Sequence, residues 1–321
     1  MDKEAIMRRK EMNKILGSNY VKAGSDPDLV IEWATTGSLA LDVALGGRGL
    51  PYGRFVMFWG KPSSCKTTIA YNVIANAQKE GKLCAFLDVE GTWNADWAAK
   101  WGIDIDALDV TQLEDADKLM KLVQLEIVHG ARVIVLDSIA QIVPQIEYEN
   151  EPGTNTPGAQ ARDVNKLMRL TRHNDPKKNV LILYLNQERA PDTLRNPRAR
   201  KPRKPGGTAI DFVMSVVVQF WRGEDIVDGL NVIGHKVKCK TTKNRFYSPF
   251  KTANFDFYFA NGIDKLGELV DVGISKGVIE TYGKGRYEYK GEKFHGRENL
   301  IEKITEEKLR MELEDEIREM F

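Results

Sequence analysis

Apolar residues along this chain fall in short dense runs separated by amphipathic stretches. RFVMFWG (54–60), CAFLDVE (84–90), VIVLDSI (133–139), VLILYLNQ (180–187) and MSVVVQFW (214–221) are nearly continuous hydrophobic runs. Runs of that length without apolar–polar alternation predict strands buried on both faces, as in a parallel sheet. Residues 67–80 and 115–129 lie between such runs and read as helices. The alternation predicts an α/β fold with a central, mostly parallel twisted sheet covered by helices. HKVKCKTTKN (235–244) and FKTANFDFYF (250–259) predict later strands, added as an antiparallel extension.

The two ends have a different texture. MDKEAIMRRKEMNKIL (1–16) reads as a charged helix whose few apolar points are Ile6, Met12, Ile15 and Leu16. A stripe that thin does not hold a helix down alone, so this helix is expected to dock elsewhere, for example on another subunit. GSNYVKAG (17–24) is read as one short strand and SDPD (25–28) as a turn. After Gly262 come short helices, glycine-rich turns and a charged terminal helix with Leu309, Leu313 and Ile317 at i, i+4 and i+8. Three segments are therefore expected: a helix–strand extension over 1–30, a large core over 31–262 and a small α+β domain over 263–321.

Composition narrows the class. The 321 residues are 42% hydrophobic and 29% charged, as expected of a globular chain that buries a sizeable core. With 47 Lys and Arg against 46 Asp and Glu, the net charge is +1. That excludes a blanket of positive charge but not a local basic patch. No apolar run approaches the ~18 residues of a membrane span, and the charged N-terminus has no signal-peptide core. Cys65, Cys84 and Cys239 are odd in number and far apart, which favours reduced thiols over a disulfide framework or a zinc site. A cytoplasmic protein with no membrane partner is expected.

The strand at 54–60 runs into Gly60-Lys61-Pro62-Ser63-Ser64-Cys65-Lys66-Thr67-Thr68 and then a helix. This follows the phosphate-binding pattern G-x-x-x-x-G-K-[ST], with Cys65 where the second glycine would stand. Loop N–H groups and the helix N-terminus concentrate positive potential on phosphate oxygens. Lys66 adds a point charge, and the Thr67 hydroxyl can ligate Mg²⁺. If the backbone at Cys65 needs positive φ, its side chain costs about 1–2 kcal/mol. VIVLDS offers Asp137 at a strand end as a Mg²⁺-organising acid. FLDVEG offers Asp88 and Glu90, read as sharing one face, with Glu90 placed to act as general base on an attacking water. ILYLNQ ends in Asn186 and Gln187, and a glutamine there can sense a γ-phosphate.

Taken in order, these segments resemble the bacterial RecA family of ATP-dependent recombinases. The resemblance runs through TTGSLALDVALGGRGLPYGR (35–54), AFLDVEGTWNADWAAKWGIDID (85–106), VIVLDSIAQIVPQIEYE (133–149), LNQERAP (185–191), PGGTAIDF (205–212), KTTKNRFYSPFK (240–251) and ANGIDKLGELVDVGISKGVIE (260–280), and covers about residues 30–295. It implies that Lys66 and Thr67 hold phosphate and Mg²⁺, that Glu90 is the base and Asp137 the metal-organising acid, and that Gln187 links nucleotide state to a DNA-binding loop. It also implies Trp97 against the adenine. Lys243 and Arg245 would reach the γ-phosphate of a neighbouring subunit, where the family has two lysines. Phe212 resembles a family position at the subunit interface.

Two segments suit DNA. From 189 to 204 the chain carries seven basic residues (Arg189, Arg195, Arg198, Arg200, Lys201, Arg203 and Lys204) against the single acid Asp192. These can contact phosphates without reading sequence. Gly206 and Gly207 follow and permit close approach to a backbone. By resemblance 189–207 is the second DNA loop, here more basic than is usual in the family, and about 148–162 is the first, ending at Arg162. Pro157 and Leu194 are candidates for the apolar wedges between bases. The implied activity is homologous pairing and strand exchange between single-stranded and duplex DNA, within a helical filament whose ATP hydrolysis DNA stimulates. It carries a place in recombination, repair and the response to DNA damage. The rival readings are a hexameric helicase of the same core and a non-hydrolysing mediator or scaffold, which Cys65 would favour.

Overall fold

The computed structural model describes residues 3–144, 146, 158–175, 179–189, 204–205 and 208–321. The chain divides into two compact units, Met1–Glu32 and Trp33–Phe321. The first contains α1 (Lys3–Leu16), which buries none of its residues, in keeping with its thin apolar stripe. Residues 17–24 form no strand. The backbone groups a strand would offer to a ladder are already taken at Val21, whose N–H donates to Asn13 Oδ1 (2.7 Å) and whose carbonyl accepts from Asn13 Nδ2 (2.9 Å).

The second unit opens with β1 (Trp33–Ala34), α2 (Leu39–Leu45) and β2 (Leu50–Pro51), with β1 and β2 paired antiparallel. The large sheet is built from β3 (Phe55–Gly60), β4 (Cys84–Asp88), β5 (Leu108–Gln112), β6 (Val133–Asp137), β7 (Leu181–Gln187), β8 (Val216–Asp228), β9 (Asn231–Asn244), β10 (Thr252–Tyr258) and β11 (Gly262–Ile263). Their spatial order is β11-β10-β9-β8-β3-β7-β6-β4-β5. From β8 to β5 every pairing is parallel, and β9, β10 and β11 extend the sheet antiparallel. Helices α3 (Lys66–Lys79), α4 (Ala95–Lys100), α5 (Ala116–Val128), α6 (Ala159–Asn174) and α7 (Thr208–Val213) connect the strands.

Side chains alternate across each strand, and so the sheet feeds two cores. Val56 and Phe58 pack with Ile69, Val73 and Ile74 of α3 on one face. Met57 and Trp59 pack with Leu119 and Val123 of α5 and Val164 and Met168 of α6 on the other. This is why the parallel strands read as unbroken apolar runs. Edge strand β5 escaped the reading because only Leu108 of its five residues is buried. The strands β8 and β9 are longer than predicted. Beyond Trp221 they continue as a hairpin that turns at Gly229 and Leu230; β9 stays paired with β10 as far as Gly234, and the tip over 227–232 is exposed throughout.

The chain ends with α8 (Lys265–Lys276), the three-stranded antiparallel sheet of β12 (Glu280–Thr281), β13 (Arg286–Tyr289) and β14 (Glu292–His295), then α9 (Arg297–Ile304) and α10 (Glu307–Arg318). Leu313 and Ile317 of α10 are fully buried, on the face their spacing predicted. Glu268 ties α8 to α2. Its carboxylate accepts from the Ser38 hydroxyl and from the backbone N–H groups of Leu39 (3.0 Å) and Ala40 (3.1 Å), so it caps the N-terminus of α2.

Burial pushes the Glu268 carboxyl up from 4.5 to about 7, against those three hydrogen bonds, which pull it down. As pH rises from 4.5 to 7 the unfolded chain gives up this proton first, and folding stability falls across that window. Relative to Glu268→Gln, the protein should lose up to about 3 kcal/mol between those limits. Urea midpoints measured across the window check this, and parallel pH profiles for the two proteins would contradict it.

Candidate nucleotide site and adjoining loops

The parallel strands deliver the loop, the acids and the glutamine to one edge of the sheet. Gly60 ends β3 opposite Gln187 of β7, and Asp88 of β4 stands opposite Asp137 of β6. Gly60 has φ 157°, and a Cβ there would lie 2.2 Å from the Phe220 carbonyl oxygen, so no side chain fits. Ser63 and Cys65 take left-handed backbone angles, φ 57° and 67°. Cys65 is the residue that caps α3, and it holds the conformation a glycine would adopt freely. Its buried thiol lies 3.2 Å from His235 Nε2, and burial pushes the thiol up to about 12.

The loop curls around its own lysine. Lys66 Nζ donates to the carbonyls of Gly60 (3.2 Å) and Lys61 (2.8 Å), and the Ser64 hydroxyl donates to the Lys61 carbonyl (2.8 Å). Burial lowers the Lys66 pKa, while Asp137 and Glu90 oppose the shift. Thr67 Oγ1 donates to Asp137 Oδ2 at 2.8 Å, and Thr68 is buried in the first turn of α3. Asp137 is only 5% exposed. Burial raises it to about 7, with Glu90 and Asp88 raising it further and Thr67 and Lys66 pulling it down. Two carboxylates, Asp137 and Glu90, thus act on one buried ammonium. Such a negative excess fits a divalent cation, with Thr67 and Asp137 as the residues placed to hold it.

Glu90 lies two residues past the end of β4, and its N–H donates to the Asp137 carbonyl at 3.1 Å. Its Oε1 accepts from Ser138 Oγ (2.6 Å) and from Gln187 Nε2. Asp88 has a different job. It accepts from the N–H groups of Thr92 (3.1 Å) and Trp93 (2.8 Å) and from Gln112 Nε2 (2.9 Å), shaping the turn into α4. Glu90 alone of the pair is left facing the loop. Ser138 and His235 were not anticipated. Ser138 directly follows Asp137 in the strand-end motif, whereas His235 stands 170 positions from Cys65 and carries no local signal.

Trp97 is 40% exposed on α4 and meets Trp101 edge to face at 5.0 Å. Lys100 sits 5.1 Å over the Trp97 ring and donates to the Phe259 carbonyl at 2.7 Å. Trp101 packs on Phe257, and Phe257 and Phe259 both pack on His235. An aromatic train therefore joins the α4 face to the loop at Cys65.

Other expected site residues lie apart. Asn244 of β9 pairs with Val216 at the start of β8, so Lys243 and Arg245 stand at the opposite end of the sheet from Lys66. Lys243 Nζ donates to the Asp211 carbonyl and Arg245 Nη2 to the Phe212 carbonyl (2.6 Å). Phe212, a candidate interface residue, is 76% exposed. Arg162 is exposed in the first turn of α6, and Arg189 is exposed with Nη2 3.5 Å from the Ala140 carbonyl. Lys204 is bound to Asp211 at 2.5 Å and sits 5.4 Å over the Trp59 ring. Asn186 donates to the Pro205 carbonyl at 3.0 Å, so the far end of the basic segment is anchored beside Gln187. Arg195, Arg198, Arg200, Lys201, Arg203, Gly206 and Gly207, with Pro157, Leu194 and most of 148–162, lie outside the described residues.

The left-handed geometry at Cys65 sets a ranking of substitutions. Cys65→Gly relieves strain but removes a buried thiol, and its stability should stay within about 1 kcal/mol of the parent. Cys65→Val puts a branched side chain into that geometry and should be less stable by about 2 kcal/mol or more. Urea unfolding of the three proteins decides it, equal stability of the Val and Gly variants being the contrary result.

The family model of the RecA N-terminal domain matches residues 4–264 of this chain. Among the described residues no helix is long and apolar enough to cross a membrane. The match spans most of the sequence and the whole of the edge that carries Gly60, Lys66, Glu90, Asp137 and Gln187. The chain belongs to the RecA family, the ATP- and DNA-binding proteins of recombination and DNA repair.

Proposed function

We propose that this protein is a DNA-dependent ATPase that assembles as a helical filament on single-stranded DNA and catalyses homologous pairing and strand exchange with duplex DNA. The observation that carries the reading is the double hold on Glu90 by Ser138 and Gln187, beside the Thr67–Asp137 pair and the Lys66 loop. Lys66 and the loop N–H groups bind the β- and γ-phosphates, and Trp97 lies against the adenine. Thr67 and Asp137 hold Mg²⁺, which when bound neutralises phosphate charge. Glu90 accepts the proton of the attacking water, and Ser138 keeps its carboxylate oriented. The protein acts in the cytoplasm.

Gln187 is the link to DNA. It bonds Glu90, while its neighbour Asn186 projects to the other face of β7 and holds Pro205. Loss of the γ-phosphate alters the hydrogen bonding of Gln187 and, through β7, the seating of the basic segment 189–207. Arg162 and the seven basic residues of that segment contact backbone phosphates, and Gly206 and Gly207 let the chain approach them closely. The distance of Lys243 and Arg245 from their own Lys66 supports a role at a neighbour's γ-phosphate, with Phe212 beside them at the contact. Turnover then requires assembly.

Glu90→Gln should lower turnover about 100-fold or more with ATP binding retained, and Gln187→Ala should retain basal turnover but lose its stimulation by DNA. ATPase assays with and without single-stranded DNA, combined with electron microscopy of the same mixtures, test the whole reading. Translocating rings would indicate a helicase, and binding without turnover a scaffold. DNA affinity should also fall steeply with salt, with a log–log slope of about −4 or steeper. A flat slope would remove the basic segment from the DNA interface.

A further inference from the structure

The end of the sheet opposite the Lys66 loop holds a second concentration of positive charge. A cavity of about 360 Å³ lies there, lined by Arg54, Arg172 and Arg245, by Asp175, and by the rings of Phe55 and Phe246. Phe55 begins β3 and Gly60 ends it. Five steps of about 3.3 Å separate the cavity from the phosphate loop by about 16 Å. It is therefore a different place from the nucleotide site of the same chain.

The arginines are held in a particular way. Arg172 lies 5.5 Å over the Phe55 ring and Arg54 5.8 Å over the Phe246 ring. Stacking occupies the flat face of a guanidinium and leaves its N–H edge available. Of Arg54, one N–H goes to the Gly53 carbonyl, and of Arg245, one goes to the Phe212 carbonyl. Each group has five N–H donors, and among the described residues these bonds engage only a minority of them. The one carboxylate among the described lining residues, Asp175, offsets part of this charge at Arg54 but cannot balance three guanidiniums. Asp175 is buried and accepts from the N–H groups of Asn179 and Val180, both at 3.1 Å. The positive charges also repel one another. Arg54 is lowered first by burial and next by Arg172 and Arg245.

We infer that this cavity is an oxyanion site that takes a phosphate group, held by the N–H edges of Arg54, Arg172 and Arg245. Three guanidiniums around one carboxylate leave a positive excess that matches the charge and fork geometry of a tetrahedral oxyanion. The volume stands at the low end of ligand pockets, which suits inorganic phosphate or the phosphate tail of a nucleotide and not a length of nucleic acid. Arg54 and Arg172 carry the inference apart from the Lys66 loop of the same chain; only Arg245 is shared with the role proposed above at a neighbour's γ-phosphate.

The test is calorimetric titration of inorganic phosphate into the full protein with its Lys66 loop saturated by ADP. One phosphate should bind, and Arg172→Ala should weaken it at least about tenfold, with Arg172→Lys restoring affinity only in part. Arg172 is solvent-exposed, so these variants should fold, and unchanged ADP affinity will confirm it. Tripolyphosphate in place of phosphate separates the two sources. Tighter binding than phosphate identifies a nucleotide tail, and equal or weaker binding identifies free phosphate, both dependent on Arg172. No phosphate binding to the ADP-saturated protein, or binding that Arg172→Ala and Arg54→Ala leave unchanged, would overturn the inference.

Discussion

The parallel register of four central strands is the constraint on which the rest depends. Gly60 faces Gln187 across β3 and β7, and Asp88 faces Asp137 across β4 and β6. Residues far apart in sequence, Gly60 and Gln187 by more than a hundred positions, thereby finish level at one edge. The register is fixed by the cores, because Met57 and Phe58 are both fully buried but on opposite faces. A slip of one residue would exchange every side chain between two differently shaped cores. The geometry of the acids around Lys66 is in this sense a by-product of packing tens of apolar side chains.

That edge carries an electrostatic imbalance the fold does not correct by itself. Glu90 and Asp137 act on Lys66, Asp88 acts on Asp137, and burial works against ionisation of both Asp137 and the lysine. Hydrogen bonds absorb part of the imbalance: Thr67 on Asp137, Ser138 and Gln187 on Glu90, the 91–93 turn on Asp88. The local arrangement is held ready for added positive charge and for phosphate oxygens. Left-handed Cys65 fits the same picture. Strain at a functional turn persists when its surroundings determine it, here Gly60 pressed on Phe220 and His235 packed on the thiol.

The sequence made the central strands readable because both of their faces are buried and nearly every position before the strand ends is apolar. The phosphate loop was readable because its chemistry is local and contiguous, and the last helix because Leu313 and Ile317 repeat at helical spacing. What escaped shares a cause. The edge strand β5 and the hairpin tip around Gly229 meet water, and neither shows the dense apolar run of a buried strand. Residues 17–24 read as a short strand, but the side chain of Asn13 claims the backbone of Val21. His235 at Cys65 and the three-arginine cavity are assembled from segments with no sequence relation to one another. Side-chain partnerships across more than a hundred positions leave no trace in a single linear pattern.

The opposition of the two sheet edges has a consequence for symmetry. One edge presents the Lys66 loop, and the other presents Phe212, Lys243 and Arg245. Any association that sets the second edge of one copy against the first edge of the next joins unlike surfaces. Such a heterologous contact cannot satisfy itself by a two-fold rotation, and it repeats until a ring closes or continues as an open helix. An open assembly of this kind is directional. One terminus ends in an unmatched phosphate loop and the other in an unmatched pair of cations, so gain and loss of subunits at the two termini are chemically different events.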